Sequence, residues 1–272
     1  MRLGKYAQTR RLADSQTFLM PSYYDAIYLS PHLDDAAYSC DGRIFTQTAA
    51  GRSVLVVTIM AGDPPAEPLS DYARLHHERW QLVADTAAQR RAEDVAACRI
   101  LGADYLHWQV PDCIYRLHPE TGEPLYVTRD DIFGAIHPAE WPLQERLSQQ
   151  MAGLPDHGRI FSPLAAGHHV DHQLVRAAAE RRLGTDLLYY EDYPYAYLPG
   201  ALAAVIPPGN DEWQAEVLPL AEATIQARID AITAFASQLS TFFNGRTDLE
   251  KQIKDYVHQV GGERVWRRRS RV

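Results

Sequence analysis

Cysteine is scarce in this chain of 272 residues: Cys40, Cys98 and Cys113 are the only three, an odd number with no CxxC spacing. That excludes a disulfide framework and a four-cysteine zinc site, and it suits a reducing, cytoplasmic compartment. Long apolar runs are missing as well. None approaches the ~18 residues of a membrane span, and Met1 to Gln8 contain no apolar segment of the kind a secretory signal needs. Positive charge is in deficit: 27 Lys and Arg stand against 35 Asp and Glu, a net charge of −8. Bulk attraction to nucleic acid or to an anionic membrane is therefore not expected. The basic stretch Arg267-Arg268-Arg269-Ser270-Arg271 reads as a solvated end. There is no internal repeat, and no GxGxxG follows a predicted strand, so the dinucleotide-binding fingerprint is absent. HExxH is absent too. His76-His77-Glu78 reads as surface, because adjacent helical residues point apart.

What remains is an ordinary globular composition, 46% hydrophobic and 23% charged. A chain of this length buries roughly 70–75% of its unfolded surface, enough for a core without staples. We expect one domain over residues 1–272, with residues 1–24 wrapping the surface, a core at about 25–192, and C-terminal helices within 222–260 packed on it.

Apolar runs at Ala26–Leu29, Val54–Met60, Asp104–Trp108, Arg159–Ser162 and Leu187–Tyr190 read as strands. The second is rich in β-branched residues, as in a strand buried on both faces. Helical composition lies between them, at Asp35–Ala50, Asp71–Leu101 (with Trp80, Val83, Ala87 and Val95 in its apolar set), Pro138–Met151 and Asp171–Leu183. Glu222–Leu239 and Asp248–Val260 follow. Alternation of this kind predicts an α/β fold, a Rossmann-like three-layer sandwich with a mostly parallel sheet and helices on both faces. Residues 109–128 and 191–210 read as long loops, the second opening on Tyr193-Pro194-Tyr195, whose rings suit stacking on a ligand.

In such sheets ligands sit beyond the carboxyl ends of the strands, and the densest chemistry of the sequence stands there. After the first strand comes Ser30-Pro31-His32-Leu33-Asp34-Asp35. His32 and Asp35 suit a divalent metal, and Asp34 is free to handle a proton. The plain alternative is that the two Asp residues only cap a helix. After the fourth strand comes His168-His169-Val170-Asp171-His172, in which Asp171 has the chemistry to orient an imidazole by accepting its N–H. Here the plain alternative is polar loop filler with an Asp cap. Together the clusters offer His32, Asp35 and His172 as three ligands with a fourth position for water, the arrangement of catalytic zinc.

These residues resemble the PIG-L/LmbE family of zinc-dependent N-acetylglucosaminyl deacetylases. The matches are Pro31-His32-Leu33-Asp34-Asp35-Ala36 and His169-Val170-Asp171-His172. Arg90, Glu93, Leu101 and Gly102 fall in its RxxE…LG pattern, and Pro111-Asp112 resembles its substrate-loop Pro-Asp. Leu33 and Ala36 depart from the family's Pro and Glu. The resemblance implies zinc, or another divalent ion such as Fe2+, on His32, Asp35 and His172. It implies Asp34 as general base, His169 as the imidazolium that stabilises an oxyanion and can protonate the leaving amine, and Asp171 as its orienting partner. Arg90 and Asp112 are implied as substrate contacts.

The expected activity is metal-dependent removal of an N-acetyl group from a small amino-sugar or glycoconjugate substrate. The alternatives are an amidase acting on a sugar-thiol or natural-product glycoconjugate, and a non-catalytic metal-containing binding protein. The sequence leaves open whether the chain forms a homo-oligomer. Cys40 and Cys98 read as small core residues, and Cys113 is placed to approach the site.

Overall fold

A computed structural model describes residues 20–65, 69–80, 86–184 and 186–269. In chain order the elements are β1 (Tyr23–Ser30), α1 (Asp35–Ala49), β2 (Val54–Thr58), α2 (Asp71–Arg79), α3 (Thr86–Leu101), β3 (Asp104–His107), α4 (Arg129–Ile132) and α5 (Trp141–Met151). They continue with β4 (Asp156–Pro163), α6 (Val170–Leu183), β5 (Leu187–Tyr190), α7 (Ala201–Val205), β6 (Trp213–Leu218), α8 (Glu222–Thr233), α9 (Ala236–Phe242), α10 (Arg246–Val260) and β7 (Glu263–Arg268).

The strands form a seven-stranded sheet in the order β3-β2-β1-β4-β5-β7-β6. The first five are parallel, with Ala26 against Val54 and Ile27 against Ile160 in register. Successive side chains leave a strand on opposite faces, so the central strands split between two cores. Ala26, Tyr28, Val54, Val56 and Phe161 face one side and pack with residues of α1, α3 and α8. Ile27, Leu29, Leu55, Val57 and Ile160 face the other and pack with α5 and α6. Helices thus cover both faces of a mostly parallel sheet, as the alternating composition predicts.

Leu29 is fully buried at the centre of the second core. Leu29→Ala is expected to cost ~2–5 kcal/mol of stability, read as a lower urea midpoint at constant slope.

The helical composition of Asp71–Leu101 resolves into α2 and α3, and Val83 lies outside the described residues, as do residues 1–19 of the expected N-terminal wrap. Glu222–Leu239 divides into α8 and α9 because Phe235 leaves helical geometry (φ −88°, ψ 61°) and drives its ring into the core beside Tyr38. The loop at 191–210 contains α7, and α4 follows the loop at 109–128.

β6 and β7 lie in stretches without a strand-like pattern. They form an antiparallel ribbon whose exposed positions, Gln214, Ala215, Val217, Arg267 and Arg268, break up any continuous apolar run. β7 docks antiparallel on β5, so Arg267 and Arg268 are sheet residues rather than a free tail. Arg267 donates to Gln214, and Arg268 pairs with Glu180 and stacks over Trp213. Ser270 and Arg271 lie outside the described residues.

Sheet order reverses between the parallel neighbours β1 and β4: the chain adds β2 and β3 on one side of β1, and β5 on the far side of β4. Their connections part there and open a crevice at the carboxyl ends, where such sheets take ligands.

Candidate metal and active site

The loop after β1 is a turn closed by its own side chains. Ser30 Oγ donates to the His32 carbonyl (2.7 Å) and accepts the Ala36 N–H (3.0 Å). Asp35 Oδ2 accepts the His32 N–H at 2.8 Å. Asp34 occupies the N-cap position of α1 but makes no side-chain capping bond. Its carboxylate points into the crevice instead, so capping does not account for it. Ala36, where the family motif has Glu, is buried in the core on the α1 side of the sheet.

The loop after β4 is strained. Ala165 and His168, neither of them glycine, sit at φ 58° and 62°, a left-handed geometry that costs energy and clusters at functional sites. Gly167 is required here: a Cβ on it would lie 2.5 Å from the Cβ of Tyr195. His169 then caps α6, its Nδ1 accepting the Asp171 N–H at 3.3 Å.

The two loops converge. His32 Nδ1 lies 3.0 Å from Asp35 Oδ2, and His172 Nε2 lies 3.2 Å from the same oxygen. Ligands 2.0–2.1 Å from a tetrahedral ion stand ~3.3 Å apart, so each ring nitrogen stands at ligand spacing from the shared Asp35 oxygen. The far nitrogens of both rings are held by carboxylates. His32 Nε2 is 3.0 Å from Asp171 Oδ2, and His172 Nδ1 is 2.6 Å from Asp192 Oδ1. Such outer carboxylates fix the ring orientation and tautomer of a ligating histidine, leaving the inner nitrogen free to bind. His32, His169 and His172 also bring ring nitrogens within 4.8 Å of one another.

The carboxylate of Asp171 therefore orients His32, across 139 positions of sequence, and not His169 as the resemblance implies; His169 receives only its backbone N–H. Asp171 is anchored in turn by the Cys113 N–H (3.0 Å) and the Arg116 guanidinium (2.6 Å), and Arg116 also grips Glu140. Asp192, Arg116 and Glu140 are absent from the sequence reading. Asp192 was within reach of the rule that finds the other residues, since it stands two positions after β5.

Charge follows from this packing. Burial, then the neighbouring Asp35, push Asp34 up to about 7, with Arg90 and His32 pulling the other way. Burial opposes charge on His172, yet Asp35 and Asp192 lift it to about 10. Burial likewise opposes charge on His32, and Asp112 and Asp35 outweigh it. Burial and then the His32 charge hold His169 down to about 3. Both effects favour the neutral ring at His169. Because its Nδ1 accepts, its proton sits on Nε2. Asp34, Asp35, Asp112 and Asp171 repel one another at this range and call for positive charge among them. The donor set, carboxylate and imidazole, fits a divalent transition ion.

Above this cluster opens a cavity of ≈ 440 Å³, within the usual range for small-ligand sites. His32, Asp34, Asp35, Asp112 and His169 form its floor, and Arg90, Trp80, Tyr193 and Tyr195 stand in its walls. Arg90 is buried, 3.7 Å from Asp34 and stacked over Trp80. Glu93, the other charge of the RxxE pattern, accepts from the N–H and Oγ of Ser237 and so fixes α9 as a wall. His76 is a half-buried wall residue and His77 donates to or accepts from Tyr115 at 2.5 Å, so neither is the free surface residue expected. Cys113 is buried with Sγ 4.0 Å from His169 Nε2, while Cys40 and Cys98 are core residues.

Asp192→Asn keeps the shape and weakens the acceptor behind His172. Metal affinity is expected to fall about 10–100-fold, measured by competition with a chromophoric chelator.

A doubly covered parallel sheet with a carboxylate-backed histidine cluster at its switch point defines a class of α/β protein with a candidate metal centre. The family described as PIG-L: GlcNAc-PI de-N-acetylase matches residues 27–183, more than half of the chain, and the protein belongs to that family. It is 30% identical over 190 residues to a 2'-N-acetylparomamine deacetylase of Niallia circulans, covering 62% of this chain and 66% of the relative. It is 31% identical over 177 residues to the enzyme of the same name from Streptomyces fradiae, covering 62% and 57%. The match thus spans less than two thirds of either relative. Among solved structures, the zinc-inhibited form of teicoplanin deacetylase Orf2 superposes with a TM-score of 0.78 at 24% identity, over 91% of this chain and 99% of that one. This last likeness concerns the fold.

Proposed function

We propose that the protein is a metal-dependent hydrolase that removes an N-acetyl group from an amino-sugar substrate. The observation that carries this reading is the triangle of His32 Nδ1, Asp35 Oδ2 and His172 Nε2 with its outer nitrogens held by Asp171 and Asp192, directly beneath a ligand-sized cavity. His32, Asp35 and His172 would hold the ion, zinc in first place and ferrous iron as the alternative. Such an ion supplies Lewis acidity, lowering the pKa of water and polarising an acyl carbonyl.

The chain's own residues do the rest. Asp34 lies in the cavity floor with its carboxylate free of capping duty, and it accepts the proton of the attacking water. The Nε2–H of His169 donates to the oxygen that gains negative charge as the carbonyl becomes tetrahedral, an interaction worth ~3 kcal/mol or more. The departing amine needs a proton, which Asp34, once protonated, can return. Arg90 and Asp112 are placed in the cavity to meet sugar hydroxyls, and Tyr193 and Tyr195 to flank the ring. The deacetylase names of the relatives support the same reaction type.

A reducing, cytoplasmic location is supported by the three unpaired cysteines, and among the described residues no helix is long and apolar enough to cross a membrane.

The test is release of acetate and free amine from a panel of N-acetylglucosaminides by metal-loaded protein. Turnover of any member supports the reading. Tight binding of the panel without turnover would favour the non-catalytic alternative and overturn it.

A further inference from the structure

We propose that the mouth of this cavity selects a substrate whose aglycone is apolar and carries an anionic group. The inference rests on the amino-sugar reading above and concerns what the sugar is attached to. The cavity is electrically divided. Its carboxylates, buried Asp34 and Asp35 and half-buried Asp112, line the inner end, where histidines and Arg90 stand beside them. Its mouth is apolar and cationic.

Leu75 and Leu198 line the mouth with 58% and 54% of their surfaces exposed, beside the rings of Tyr72, Phe133 and Phe242. Leucines standing in water at a cavity rim gain free energy when a ligand covers them. Arg79 and Arg129 lie on the same rim, both exposed. Neither reaches a carboxylate at ion-pair distance among the described residues. Arg79 makes a long bond to the Thr241 carbonyl (3.4 Å), and Arg129 stacks over Phe133 at 5.1 Å. Arg90, by contrast, is already committed to Asp34 and Trp80. Two guanidiniums that have no ion pair among the described residues, set over apolar walls, match an aryl or alkyl group bearing a carboxylate or phosphate. They repel an ammonium-bearing aglycone of the same size.

The experiment uses the metal-loaded full chain and three probes that differ only at one end: phenyl, 4-carboxyphenyl and 4-(aminomethyl)phenyl N-acetyl-β-glucosaminide. The readout is released acetate. The carboxylate probe is expected to exceed the phenyl probe about tenfold in kcat/KM, mostly through KM, with the ammonium probe last. In the double variant Arg79→Glu with Arg129→Glu, the carboxylate-to-phenyl ratio is expected to drop to about one or below. Equal use of the three probes by the wild-type chain, or an unchanged ratio in the double variant, overturns the proposal. Should no probe release acetate, the deacetylase reading fails separately. Calorimetric binding of the same probes then decides the mouth's preference: the same rank order supports it, and no order overturns it.

Discussion

Asp34→Asn is expected to lower kcat by about 10²–10⁴-fold while the protein binds its metal with near-normal affinity. The amide is nearly isosteric with the carboxylate, so the cavity and the turn around Ser30 persist. What disappears is an acceptor for the water's proton. The geometry separates this residue from its neighbour. Asp35 Oδ2 stands 3.0–3.2 Å from nitrogens of both His32 and His172, whereas Asp34 faces Arg90 at 3.7 Å. Asp35→Asn should therefore reduce metal affinity as well as rate. Steady-state kinetics combined with metal analysis of both variants checks the pair. Loss of metal from Asp34→Asn would show that Asp34 is a ligand and that the base lies elsewhere.

Removing the ion is expected to abolish turnover altogether while leaving the fold intact. The sheet and its two cores form without contributions from the site, so far-ultraviolet circular dichroism should barely change after chelation. The thermal midpoint should fall, because a ligand that binds only the folded state adds RT ln(1 + [L]/Kd), about 2.7 kcal/mol at a hundredfold excess over Kd. Activity should return on addition of one equivalent of zinc or ferrous ion. Full activity in the presence of a strong chelator, with no metal detectable in the protein, would contradict the account.

The parts of this protein that the sequence discloses are those governed by short-range pattern. Val54–Thr58 reads as a doubly buried strand because every residue is apolar or β-branched, and all five are buried. The His and Asp clusters stand out because they follow strands, and the parallel order of β1 and β4 brings the loops together. Contacts between distant residues are less legible. Nothing near Asp171 says that its carboxylate serves His32, since that pairing depends on how the β4 loop turns through Ala165 and His168. Arg116 reads as one charge among several in a long loop until Asp171 and Glu140 meet it. The β6–β7 ribbon is hidden for a different reason. Its strands are half exposed and are held by one face and by β5, so they lack an apolar run.

Crystals grown with zinc and measured at its absorption edge would locate the ion among its proposed ligands. One strong anomalous peak is expected, about 2.0–2.2 Å from His32 Nδ1, Asp35 Oδ2 and His172 Nε2, with Asp171 and Asp192 still bonded to the outer ring nitrogens. A peak that leaves out any of these three atoms, or no peak in protein that is otherwise folded, would contradict that ligand set.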